Sequence, residues 1–271
     1  MNLLFAAALL CMGKPIADQA RFEGGEEIRI LPVPRTPESK TVVLRIAVPE
    51  NGDLISHNPV WVQIRLDGYA LGAGSQFDRE DEVGVSKMGQ TVHVIVDDRP
   101  YFPVNNPAID PFNEEGFYYD TSYKFEIPYK LKEGLHTIRI FPARSFGESL
   151  KGETSFRTVS FYLGEKKGGT AIDLNAPYLT YNEPSDQIPL SAEKPLLLDF
   201  YLSNCELSAD GYKVRATIDR KIKRTLTAWQ PYYIYGLKRG RHTIRLELLD
   251  PNGKLAPGPF NDVQRVIWIG D

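Results

Sequence analysis

One ten-residue phrase occurs twice in this chain, once near the middle and once near the end. Leu131-Lys132-Glu133-Gly134-Leu135-His136-Thr137-Ile138-Arg139-Ile140 is matched by Leu237-Lys238-Arg239-Gly240-Arg241-His242-Thr243-Ile244-Arg245-Leu246. An aromatic run precedes each copy, Tyr123-Lys124-Phe125-Glu126-Ile127 and Pro231-Tyr232-Tyr233-Ile234. A closing run follows each, Val159-Ser160-Phe161-Tyr162-Leu163-Gly164 and Val266-Ile267-Trp268-Ile269-Gly270. Inside both copies alternate residues share a face: His242, Ile244, Leu246 and Leu248 on one side, Arg241, Thr243, Arg245 and Glu247 on the other. That period of two belongs to a half-buried strand, not to a helix. A multi-strand unit present in two copies means two domains rather than a solenoid.

The rest of the chain fits the same plan. Val60 to Leu66 ends at the turn Asp67-Gly68, and Thr91 to Val96 ends at Asp97-Asp98. Pro195 to Leu202 and Lys213 to Ile218 take the equivalent places in the second unit. Many short strands with turn residues between them predict an all-β fold of two tandem immunoglobulin-like antiparallel β-sandwiches. The expected division is an apolar leader over 1–20, an N-terminal extension over 21–39, a first sandwich over 40–165, a linker over 166–172 and a second sandwich over 173–271. His136 and His242 fall where such folds often place a corner tyrosine that bonds back to the chain. They are read as structural corner residues.

The segment Leu3 to Met12 is uncharged and apolar over about ten residues, too short to span a bilayer but suited to an export signal. Export to the periplasm, outer membrane or cell surface is expected, with Cys11 a possible lipidation site and the only membrane attachment. The net charge of −3, with no basic run, argues against a nucleic-acid partner. With Cys11 in the leader, Cys205 is left as the one thiol of the folded part, read as a small buried hydrophobe.

The stretch Leu198 to Asn204, with Gly211 to Asp219 and Trp229-Gln230-Pro231-Tyr232, resembles a recurrent module of uncharacterised bacterial exported proteins. The first unit resembles a sister module, through His93 to Tyr101 and Ala143 to Lys151; there a His often stands where this chain has Gly147. The resemblance implies tandem immunoglobulin- or fibronectin-III-like sandwiches, secretion and a bacterial source. It implies no activity.

No catalytic motif stands out: there is no G-x-S-x-G, H-E-x-x-H, phosphate loop or paired C-x-x-C. No metal and no cofactor are expected. The acidic run Phe77 to Glu82 lacks the order of a calcium loop and reads as a solvated turn. His57 reads as an exposed loop residue, and His93 as a packed or solvent-edge side chain. The connection from Pro103 to Asp120 is long for a sandwich, and such loops are often functional. Its Asn105, Asp110, Phe112, Phe117, Tyr118 and Tyr119 are candidate ligand-binding residues, joined by His93, Arg144, Glu148 and Lys151; the alternative is a loop that covers an open strand edge.

Three readings follow. The first is a non-enzymatic binding or spacer protein of the bacterial envelope, its partner a glycan, peptidoglycan or envelope protein. The second is a carbohydrate-active or other hydrolase using Asp97, Asp98, Asp110 and Glu114. The third is a structural assembly module joined through an exposed edge strand.

Overall fold

A computed structural model describes residues 28–75, 77–105, 121–168, 172–186 and 188–270. In chain order its elements begin with β1 (Arg29–Pro32), β2 (Val43–Val48), β3 (Leu54–Ile55), β4 (Trp61–Asp67), the helical turn α1 (Arg79–Glu82), β5 (Thr91–Val96) and β6 (Phe102–Val104). Then come β7 (Ser122–Glu126), β8 (Gly134–Ala143), β9 (Arg157–Leu163), β10 (Tyr178–Glu183) and β11 (Leu196–Ser203). The last five are β12 (Lys213–Ile218), β13 (Ile222–Leu226), β14 (Tyr232–Tyr235), β15 (Gly240–Leu249) and β16 (Asp262–Ile269).

The strands form two antiparallel β-sandwiches of immunoglobulin type. In the first, the sheet β2-β4-β7 faces the sheet β3-β9-β8-β5-β6, with only β3 parallel to its neighbour β9. Val62, Ile64 and Leu66 of β4 meet Val92, Val94, Ile138 and Ile140 in its core. In the second, the sheet β1-β14-β11-β10 faces β13-β12-β15-β16, and Leu198, Phe200, Val214, Ile244, Leu246 and Leu248 fill the space between. The repeated phrases form β8 and β15, the central strands that the alternation demands.

The N-terminal extension is not idle. Arg29–Pro32 pairs antiparallel with β14, from Arg29 opposite Tyr235 to Pro32 opposite Tyr232, and buries Ile30 in the second core. It fills the edge position that strand D holds in immunoglobulin constant domains. From there the chain crosses to the first sandwich as a strap: Arg35 donates to the carbonyl of Trp229, and Thr36 lies against Glu148.

The two sandwiches meet face to face. Every residue of β5 and of β10 is buried, as are seven of the eight in β11. The outer face of β5 and β8, with His93, Ile95, Arg139 and Phe141, packs on the outer face of β10 and β11, with Thr180, Asn182, Asp199 and Tyr201. A strand covered on both faces loses its polar alternation. Thr91 to Val96 and Leu196 to Leu202 therefore read as near-continuous apolar runs, broken by single polar residues whose partners lie across the seam.

Candidate functional site

The seam holds a connected set of buried polar side chains. His93 Nδ1 bonds Asn182 Oδ1 at 2.7 Å, and its ring stacks on Tyr101 with centroids 3.6 Å apart. Asn182 Nδ2 donates to Asp199 Oδ2 at 2.8 Å and to the carbonyl of Gly147 at 2.7 Å. Asp199 also accepts from Ser149 Oγ at 2.6 Å and from Lys151 Nζ at 2.5 Å, and both members of that ion pair have fully buried side chains. Tyr101 donates to Glu183 Oε1 at 2.5 Å. Burial pushes His93 down to about 4 and Glu183 up to about 8, so both are neutral near pH 7.

Gly147 shows why this circuit closes. Its φ of +88° is a left-handed conformation, and a Cβ there would lie 2.7 Å from Ile188 and 2.9 Å from Glu183. A histidine at this position, as in the sister module, would displace that wall of the seam. Arg139 crosses nearby without a carboxylate, its Nη1 donating to Thr180 Oγ1 and the Leu179 carbonyl and its guanidinium 3.7 Å from the centre of the Phe260 ring. Burial presses it down to about 9.

The candidates named from sequence separate into several places. His93, Glu148 and Lys151 do not line an open loop end: they are 2%, 2% and 6% exposed and are bonded within the protein. Glu148 accepts from the backbone N–H of Thr36 at 2.8 Å and from Arg79 Nη1 at 2.5 Å. Arg144 reaches the carbonyl of Pro37 and lies 4.7 Å over Phe77. Asn105 donates to the carbonyl of Met88 on the first sandwich. Asp110, Phe112, Phe117, Tyr118, Tyr119, Glu114 and Cys11 lie outside the described residues. The acidic run is more than a solvated turn, because Arg79 and Glu82 reach Glu148 and Tyr233, while Glu80 accepts from Ser75 N at 2.9 Å. It acts as a clasp over the seam. His57 is exposed, and burial raises the Cys205 thiol to about 11.

His136 and His242 occupy equivalent corners. His136 Nε2 bonds the carbonyl of Lys132 at 2.7 Å and Nδ1 bonds Asp97 Oδ2 at 2.8 Å; His242 repeats this with Lys238 and Asp219 at 2.7 Å each. Both aspartates sit in left-handed turns, with φ of +55° and +49°, and accept the N–H of Thr137 and Thr243. Asp97 is therefore tied to a corner, and Asp98 accepts from Arg265 through its carbonyl. The aspartate partners escaped the sequence reading, although Val96-Asp97 and Ile218-Asp219 are themselves a repeat.

A groove of about 510 Å³ opens at one mouth of the seam, beside Phe156, Tyr178, Tyr201 and Trp229. The ring faces are already taken. Phe156 stacks on Tyr201 at 4.2 Å, Tyr201 meets Trp229 edge-on at 4.9 Å, and Arg35 lies 4.7 Å over Trp229. Its aromatic wall consists of packed rings rather than free platforms. Among the described residues no cluster of three or more His, Cys, Asp or Glu is placed to hold a metal ion, and no helix is long and apolar enough to cross a membrane.

No family model and no curated protein matches the sequence. Solved structures similar to it include the fibronectin(III)-like modules of Clostridium thermocellum CbhA, at 11% identity over 84% of this chain and 94% of that one, with a TM-score of 0.28. Chicken CNTN1 FN1–FN3 domains match at 11% identity over 82% of this chain and 67% of that one, TM-score 0.22. A Bacteroides ovatus SGBP-B from a mixed-linkage glucan utilization locus, in complex with a mixed-linkage heptasaccharide, matches at 13% over 91% of this chain and 48% of that one, TM-score 0.17.

Proposed function

We propose that this chain is a non-enzymatic binding and spacer protein of the bacterial envelope, which holds two sandwiches in one fixed orientation and acts through their outer surfaces on a glycan. The observation that carries this reading is the buried circuit His93–Asn182–Asp199–Ser149–Lys151. A catalytic group must be reachable by its substrate, whereas these side chains face one another across two packed sheets. Buried ion pairs contribute little net stability against apolar packing, but they favour one register over others. The seam thus sets orientation, the property a spacer needs. Export is supported by the uncharged run Leu3 to Met12.

Fractionation of a bacterial host expressing the full chain, with intact mass of the recovered species, tests the envelope role. The expected result is a processed or lipidated species in the envelope fraction; an unprocessed cytosolic chain overturns that location. The non-enzymatic role is tested with chromogenic glycosides and esters. Turnover that disappears in Asp110→Asn or Glu114→Gln, in a protein that remains folded, would restore a hydrolase.

A further inference from the structure

The sheet β13-β12-β15-β16 turns its other face to solvent, away from the seam. Strand register places Lys223, Thr217, Arg245 and Gln264 in one row across all four strands. A concavity of about 320 Å³ opens over this row, with Arg215 and Arg220 on its rim and Glu247 its one carboxylate. Glu247 is already neutralised, since Arg215 grips both its oxygens at 2.7 and 2.6 Å. Arg245 grips Asp262 in the same way, at 2.6 Å for both bonds. That leaves Arg220 and Lys223 exposed, with no carboxylate partner among the described residues, and the concavity carries an excess of positive charge.

The same face continues along β16. Gln264, Val266 and Trp268 all point outward, Val266 is 45% exposed, and Trp268, at 67%, is the most exposed large apolar side chain described. No described ring or cation stacks on its indole. Gln264 and Trp268 are four residues apart, or ~13 Å along a strand. A basic hollow at one end and a free indole at the other describe an elongated ligand with repeated negative charge and flat apolar ring faces. Carboxylates suit the unpaired cations, and the C–H face of a sugar ring suits an indole.

We propose that this face binds an acidic polysaccharide laid along β16, its carboxylates held by Arg220 and Lys223 and one ring resting on Trp268. The inference rests on the binding role proposed above by giving it a ligand class, and its failure leaves the spacer role standing. The full chain is run in native gels containing polygalacturonate or neutral dextran, at low salt and at about 0.5 M salt. Retardation by polygalacturonate alone, weakened at high salt, is expected. Arg220→Glu with Lys223→Glu, and separately Trp268→Ala, should each weaken it about tenfold without changing the melting temperature, while Trp229→Ala in the groove leaves it intact. The proposal is overturned if the parent chain is not retarded, if the variants bind as it does, or if single-stranded DNA displaces polygalacturonate more effectively than polygalacturonate itself. It is equally overturned if light scattering shows that Trp268 joins two copies of the chain.

Discussion

Glu183 and His93 give the seam opposite responses to acid. Glu183 rises from its ordinary 4.5 to about 8, because burial outweighs the hydrogen bonds from Tyr101 and Ser185. Its contribution to stability is complete below pH 4.5 and lost as pH rises through 8. His93 falls from 6.5 to about 4 under the same burial, against the bond to Asn182. Its contribution is complete above pH 6.5 and lost as pH falls through 4. Between 4.5 and 6.5 the two slopes oppose each other, and above 6.5 only that of Glu183 remains. Glu183→Gln should therefore lessen the decline in melting temperature between pH 6.5 and 8, leaving the share that His136 contributes; an unchanged slope would mean that Glu183 carries no proton there. At the corners, Asp219→Asn loses the carboxylate that His242 and the Thr243 N–H share, and a charge-assisted bond of this kind is worth ~1.5–3 kcal/mol. Urea unfolding should register a loss of that size, and a similar one for Asp97→Asn. His136 is raised, first by its bond to Asp97 and then by the Lys132 carbonyl, against burial. Its contribution is complete below 6.5 and lost as pH rises through the shifted value.

At the scale of elements, alternation made β12, β15 and β16 legible, because each has one face in a core and one toward water, whereas β8 turns its second face, with Arg139 and Phe141, into the seam. The runs at β5 and β11 carried a second message. An aspartate inside Leu196-Leu197-Leu198-Asp199-Phe200-Tyr201-Leu202 has to be met by a partner, and a histidine between Val92 and Val94 likewise. Sequence named His93 and Lys151 but not Asn182, Asp199, Ser149 or Tyr101, since a pairing across separate domains leaves no spacing to read. β1 was illegible for a similar reason: four residues, Arg-Ile-Leu-Pro, have no period, and their partner β14 lies at the other end of the chain. Ile30→Asp places a carboxylate in the second core and should cost about 3 kcal/mol. Hydrogen exchange should then show β14 amides opening while β12 and β15 keep their protection. Unchanged protection of β14 would mean that β1 does not cover it.

For the whole molecule, the seam predicts that the two sandwiches unfold together. Calorimetry of the full chain should give one transition. Lys151→Met strands Asp199 without its cation, a change that costs ~3–5 kcal/mol in buried pairs, and should split that transition into two. A single transition in the variant would show that the strap and the clasp suffice without the ion pair. The strap also imposes an order on biosynthesis. Pro32 leaves the ribosome early, yet its partner Tyr232 follows 200 residues later, roughly 10–40 s at ~5–20 residues per second. Throughout that interval Arg29–Pro32 is a strand without a sheet. The second sandwich gains its edge strand from the part of the chain made before the first sandwich, so the strap is tied at its Thr36 end, to Glu148, well before β14 exists to anchor its β1 end.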